Sequence, residues 1–375
     1  MKIGFSALTE SSYGAIPHCQ NQLMAGIQQA GGSPVSCMNL KDTIGLDAFV
    51  LINSVPLAIQ EQIFHNVRQY WTYLLDAPFH HANWISAGPS FTTYAVVDPT
   101  HLALLFQLGR TGVFLPHGGD THPFRPWKDR EIDVLFTGTA PQVKRSYEHL
   151  GILSPELRGM AEQLIRESLV SPQHSLLDLL IALLKDSGTN LEIDDAMSVM
   201  TEADHIIRAT QRHNLIQAFS DFSVVVAGRG WDEVDLSPNH RWIGEVPYEE
   251  LSDLMSRAKV ILCPTCGFTQ GAHDRTLSAM GCGAVALTPT TTFLSQHFEH
   301  GVHLAYFNQL QEARDLGRLI LNGTHWEVVG EAGHKMVADR HSWIHRGREL
   351  FSHLQGKRRE GDAGSSYSEL TTNSI

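Results

Sequence analysis

The 375-residue chain has little of what would set it apart from ordinary globular enzymes. No apolar stretch approaches the roughly 20 residues that a helix needs to cross a bilayer. The opening Met-Lys-Ile-Gly-Phe runs directly into a strand-like segment, without the charged flank, apolar run and small-residue cleavage site of a signal peptide. Both absences lead to the expectation of a soluble, cytoplasmic protein. Cysteine is scarce and odd in number (Cys19, Cys37, Cys263, Cys266 and Cys282), which speaks for reduced thiols rather than a disulfide framework. Positive charge is in deficit: 28 Lys and Arg against 40 Asp and Glu give a net charge of −12, a field that repels nucleic-acid backbones. Low-complexity sequence is confined to the end, where 356–375 is polar, rich in Gly and Ser, and expected to be disordered.

What is present is an alternation of short apolar runs with longer stretches of helical period, the pattern of βαβ units and parallel sheets. It occurs twice. The first set has strand candidates at 2–7, 48–52, 73–76, 94–97 and 112–115, and the second at 133–137, 223–227, 259–263 and 284–288. The Pro- and Gly-rich run Pro116 to Pro126 separates them. The division that follows is a first Rossmann-like domain over 1–126 and a second over 127–335. A helical insertion at about 150–215 sits in the second domain, and a C-terminal helix over 336–355 returns to the first. The fold class is therefore α/β, with two Rossmann-like domains, which the family resemblance given below sets facing across a cleft.

In such sheets ligands bind beyond the carboxyl ends of the strands, where glycine turns and helix N-termini meet anions. Three second-domain loops fit. DVLFTGTAPQVKR places Gly138 and Thr139 after a buried strand, with Lys144 and Arg145 following, so that amides and cations can hold a diphosphate. SVVVAGRGW carries Arg229 between two glycines. The densest segment, CPTCGFTQGAHDRTLSAMGCGAVAL, sets Gly271, His273, Asp274, Arg275 and Ser278 around the start of a short helix. Its Cys263 and Cys266 make a CxxC spacing, but without a second ligand pair a zinc site is not expected. In the first domain, Asp76, His117 and Asp120 are candidates for the base that activates an acceptor hydroxyl, and Tyr13, His18 and His80 for acceptor contacts.

Together YLLDAP, LPHGGDTHPF, DVLFTGT, DHIIRATQRHNLIQAF, WIGEVPYEELSDLMSRAKVIL, HDRTLSAMGCGAVALT and HSWIHRGREL resemble the CgeB-like members of the group 1 glycosyltransferases, across most of the chain. The resemblance implies the GT-B arrangement, a nucleotide-diphosphate sugar held mainly by the second domain, a hydroxyl acceptor held by the first, and neither metal nor cofactor. It departs at one point: many relatives have two Glu separated by seven intervening residues where this chain has Gln270 and Ser278. Two further expectations stand beside transfer: a sugar-nucleotide binder that has lost catalysis, and a sugar-nucleotide epimerase.

Overall fold

The computed structural model describes residues 1–6, 14–53, 66–265 and 267–356. Tyr13, Cys266 and the tail beyond Gly356 lie outside the described residues.

The first half forms β1 (Lys2–Ser6), α1 (Ala15–Gln29), β2 (Ser33–Cys37), β3 (Ala48–Ile52), β4 (Gln69–Leu74), α2 (Ala82–Ala87), β5 (Thr93–Val96), α3 (Thr100–Gln107) and β6 (Thr111–Phe114). Its strands are all parallel, in the order β2-β1-β3-β4-β5-β6. Every residue of AFVLI in β3 is buried, as expected of a strand covered on both faces. The edge strand β2, SPVSC, has no such run, which is why it escapes a reading based on apolar residues.

The second half contains β7 (Ile132–Thr137), α4 (Val143–His149), α5 (Pro155–Val170), α6 (Leu176–Ser187), α7 (Ile193–Ala218), β8 (Val224–Ala227), β9 (His240–Trp242), α8 (Tyr248–Ser256), β10 (Ala258–Leu262), α9 (Asp274–Gly281), β11 (Val285–Pro289), α10 (Thr292–His297), β12 (Ala305–Phe307), α11 (Leu310–Asn322), α12 (Trp326–Met336) and α13 (Trp343–Leu354). Its parallel strands run β12-β11-β10-β7-β8-β9. Counted from β7 this is the 3-2-1-4-5-6 order of dinucleotide-binding sheets, and the order reverses between β7 and β10.

Two placements differ from the sequence reading. The strand expected at 73–76 is β4, which begins at Gln69 and ends at Leu74, leaving Asp76 in the loop beyond it. Most of the insertion α5–α7 packs away from the sheet that it interrupts. Its Leu164, Leu180, Met200 and Ile206 close a core with Phe79, Ala82 and Leu104 of the first half. Helix α7 is long enough to serve both halves: Ile206 belongs to that core, whereas Leu215 and Ile216 join Phe219 and Val224 beneath the second sheet. At the end of the described chain, α13 crosses back onto α1. A side chain at Gly347 would lie 2.2 Å from the Leu23 carbonyl, so only glycine admits this contact, and Trp343, Leu350 and Phe351 complete the core behind β1. Among the described residues no helix is long and apolar enough to cross a membrane.

Candidate functional site

A pocket opens where the strand order of the second sheet reverses. Its walls are Gly138 and Thr139 after β7, Gly228 after β8, Tyr248 of α8, His273 to Arg275 after β10, and Ala15 and Asp120 of the first domain. Gly138 (φ +145°) and Gly228 (φ +142°) have backbone conformations that L side chains rarely adopt. A Cβ on Gly228 would fall 2.0 Å from the Gly138 carbonyl oxygen, so the two turns interlock.

That interlock corrects one expectation. The amide of Gly138 donates to the Ala227 carbonyl (2.8 Å) and that of Ala140 to the Arg229 carbonyl (2.9 Å). The Gly138 carbonyl in turn accepts from Trp231 Nε1 (2.8 Å). These groups hold the turn itself and are not offered to a diphosphate.

Cationic charge comes instead from the opposite wall. The Arg275 guanidinium lies over the turn, with Nη2 3.3 Å from where a Gly138 Cβ would be. Its Nη1 is buried with no hydrogen-bond acceptor among the described residues, and so are the hydroxyls of Thr137 and Thr276. Of these, Arg275 and Thr137 line the pocket, and a buried guanidinium N–H without an acceptor fits an anionic ligand there. Arg212 of α7 lines the same pocket. The start of α9 is also electrostatically set. Burial alone would raise the Asp274 carboxyl, but His273, His117 and Arg275 outweigh it and hold it well below the usual range. Burial drives His273 down to about 4, despite Asp274 beside it, so the ring is neutral at pH 7. Asp274 Oδ1 and His273 Nδ1 both cap the Arg275 amide, at 2.7 and 3.2 Å.

Facing this cationic wall, Asp120 collects partners from three elements. Oδ1 meets His18 Nε2 of α1 at 2.8 Å, Oδ2 accepts from the Tyr248 hydroxyl of α8 at 3.0 Å, and the Asp120 amide donates to Ser278 Oγ of α9 at 2.9 Å. The hydrogen bond to Asp120 raises the His18 imidazole above its ordinary value, against a smaller opposing effect of burial. Ser278 thus holds the loop that bears Asp120.

A second polar cluster lies between the first domain and α7. Arg208 pairs with Asp204 at 2.6 Å and with Asp76 at 3.5 Å, and His80 Nε2 meets Asp204 at 2.7 Å. Asn53, left-handed at φ 54°, accepts from the Leu75 amide (2.8 Å) and donates to Asp76 (3.4 Å). Burial would raise the Asp76 carboxyl, yet Arg208 and the neighbouring His80 and His81 hold it below its ordinary value. A carboxylate so neutralised is a weak proton acceptor.

Comparison with curated proteins finds no sequence match. Residues 208–352 match the family model described as Glycosyl transferase-like. Among solved structures, Anabaena Alr3699/HepE in complex with UDP and glucose is 11% identical, with a TM-score of 0.54 over 95% of this chain and 100% of that one. Sucrose-phosphate synthase from Thermosynechococcus elongatus is 10% identical, with a TM-score of 0.58 over 95% and 98%. T4 phage BGT in complex with UDP-glucose is 12% identical, with a TM-score of 0.57 over 94% and 99%. The chain has the GT-B fold.

Within this GT-B frame the sequence candidates separate. Gly138, Thr139, His273, Asp274, Arg275, Ser278 and Asp120 line one pocket, and His18 touches it through Asp120. Lys144 and Arg145 do not reach it: α4 carries both outward, the Lys144 side chain is 93% exposed, and the exposed Arg145 donates to Gln142 (3.3 Å). Arg229 points to Glu245, with bonds of 2.7 and 2.8 Å, away from the pocket. Asp76 and His80 belong to the α7 cluster. His117, expected as a base, has Nδ1 2.8 Å from the Ala272 carbonyl and Nε2 3.1 Å from the Leu75 carbonyl, so neither nitrogen is open to a substrate. Gly271 packs on the first domain, where a Cβ would be 2.3 Å from the Val97 carbonyl. Arg212, Tyr248 and Arg208 were not singled out from sequence. The spacing 204, 208, 212 places one residue per turn on a single face of α7, a signal in principle available but indistinguishable from a solvated face.

Proposed function

We propose that this chain transfers a hexosyl group from a nucleotide-diphosphate sugar, with UDP-glucose the first donor to try, to a hydroxyl acceptor. The observation that carries the reading is the strand-reversal pocket with the buried Nη1 of Arg275, which has no acceptor among the described residues. Arg275 and Arg212 meet the charge that grows on the departing diphosphate, and the N-terminus of α9 adds its dipole. His18, backed by Asp120, takes the acceptor proton: Asp120 orients the ring and stabilises the imidazolium that forms. The Glycosyl transferase-like match over 208–352, and the nucleotide and sugar ligands of the structural neighbours, support this reading. The sequence motifs point within that group to the CgeB-like branch.

The test is a thermal-shift screen of the chain against UDP, GDP, ADP, CMP and TDP sugars, with and without EDTA, repeated on Arg275→Ala. A nucleotide that raises the melting temperature of the wild type and not of the variant supports the assignment. Equal stabilisation of both proteins removes Arg275 from the donor site and, with it, the argument. Chromatography of the reaction then separates transfer or hydrolysis, which release the free nucleotide (a diphosphate from the UDP, GDP, ADP and TDP sugars, CMP from the CMP sugars), from epimerisation, which yields a new nucleotide sugar.

A further inference from the structure

The loop that carries Arg275 belongs to the second domain in sequence, but its main chain is bonded to the first. Asp98, just past β5 and fully buried, accepts four hydrogen bonds. Oδ1 takes the amide and hydroxyl of Thr100 (2.9 and 2.7 Å), and Oδ2 takes the amides of Gln270 and Gly271 (2.9 and 2.7 Å). The next carbonyl, of Ala272, meets His117 Nδ1. Three consecutive residues are thus held by the first domain immediately before His273, Asp274 and Arg275. On its other side the loop keeps a bond to its own domain, where the Phe293 amide donates to the Gln270 carbonyl (2.8 Å).

We infer that Asp98 is a positioning residue for donor binding, which sets Arg275 over the Gly138 turn by docking the 270–272 main chain onto the first domain. This rests on the donor reading above. The physical reason is that a buried carboxylate with four donors is both strong and directional, and loses much when any donor leaves. The Gly138 turn, bonded within the second domain, stays put whatever the domains do. The Arg275 wall meets it only while the Asp98 contact holds, so the donor site is complete only when the two domains are together at this edge.

Hydrogen exchange of the full chain, with UDP as the probe ligand, tests this. In Asp98→Asn, exchange of the peptide spanning 268–273 should rise about tenfold, that of 137–141 should not change, and UDP affinity should fall about tenfold in protein that still melts cooperatively. Thr100→Ala, which leaves the carboxylate in place but removes one of its donors, should give a smaller rise in the same peptide and covers the case in which Asp98→Asn fails to fold. Unchanged exchange at 268–273, or equal loosening of both peptides, overturns the inference. If the wild type binds no nucleotide diphosphate, the donor reading fails, while the exchange pattern still decides whether Asp98 holds the loop.

Discussion

The two walls of the pocket are made from the same part, a glycine-bearing turn after a buried parallel strand, yet they are anchored in opposite directions. After β7, Gly138 is bonded to Ala227 and Trp231 of its own domain, and its carbonyl packs against Gly228. After β10, Gln270 and Gly271 are bonded to Asp98 of the other domain. The first arrangement makes a rigid floor. The second makes a wall whose position reports where the first domain is. An identical local signal in the sequence therefore serves two mechanical roles, and only the partner across the cleft distinguishes them.

The sharpest way to separate the roles is to change the chemistry on the first-domain side alone. His18→Gln or Asp120→Asn should lower kcat by about 10²–10⁴ while leaving nucleotide binding intact, because neither side chain is assigned to the diphosphate. The pH profile is the finer readout. His18 works as a base only when unprotonated, and its raised value puts the acid limb of kcat/KM above pH 6.5; Asp120→Asn should move that limb down. The same pair contributes to stability with a defined sign. Its contribution is fully present below the unfolded-state value near 6.5 and is lost as pH rises through the folded one.

Next in size is Arg275→Ala, which should weaken nucleotide-diphosphate binding by about tenfold to several hundredfold in calorimetry, the range for a buried charge-assisted contact. The two glycines follow. Gly228→Ala, with its Cβ 2.0 Å from the Gly138 carbonyl, should cost about 1–3 kcal/mol in a melt and disturb the floor without moving the domains. Gly271→Ala, pressed against Val97, should instead part the domains at this edge, visible as a larger radius of gyration in solution scattering. If both variants gave the same scattering, the contrast between the walls would collapse. The smallest effect is expected for Arg145→Ala, within about 0.5 kcal/mol for nucleotide binding, since its side chain stands outside the pocket.

Much of the frame was legible along the chain. Runs such as AFVLI and AKVIL announced buried strands because parallel strands covered on both faces need apolar residues at nearly every position. Gly138, Asp274, Arg275 and Ser278 were legible for a related reason, since a turn between a buried strand and a helix leaves few residue types that fit. The edge strands β2 and β9 were not, because an edge buries less and so constrains composition less. Nor was the direction of Lys144 and Arg145. Two cations after a glycine turn look like phosphate ligands in sequence, and a single turn of α4 carries them to solvent.

By itself the sequence determined two α/β halves, the Pro-rich run between them, and the strand-to-helix turns where a ligand can be held, because these follow from local period and from the small set of residues that tolerate tight turns. Only the tertiary structure decided that the insertion packs on the first half, that His117 and Asp98 join domains rather than act on a substrate, and that Asp120 gathers His18, Tyr248 and Ser278. Those are contacts between residues far apart in the chain. No local preference encodes them, and they exist only once both sheets are formed and the cleft between them is closed.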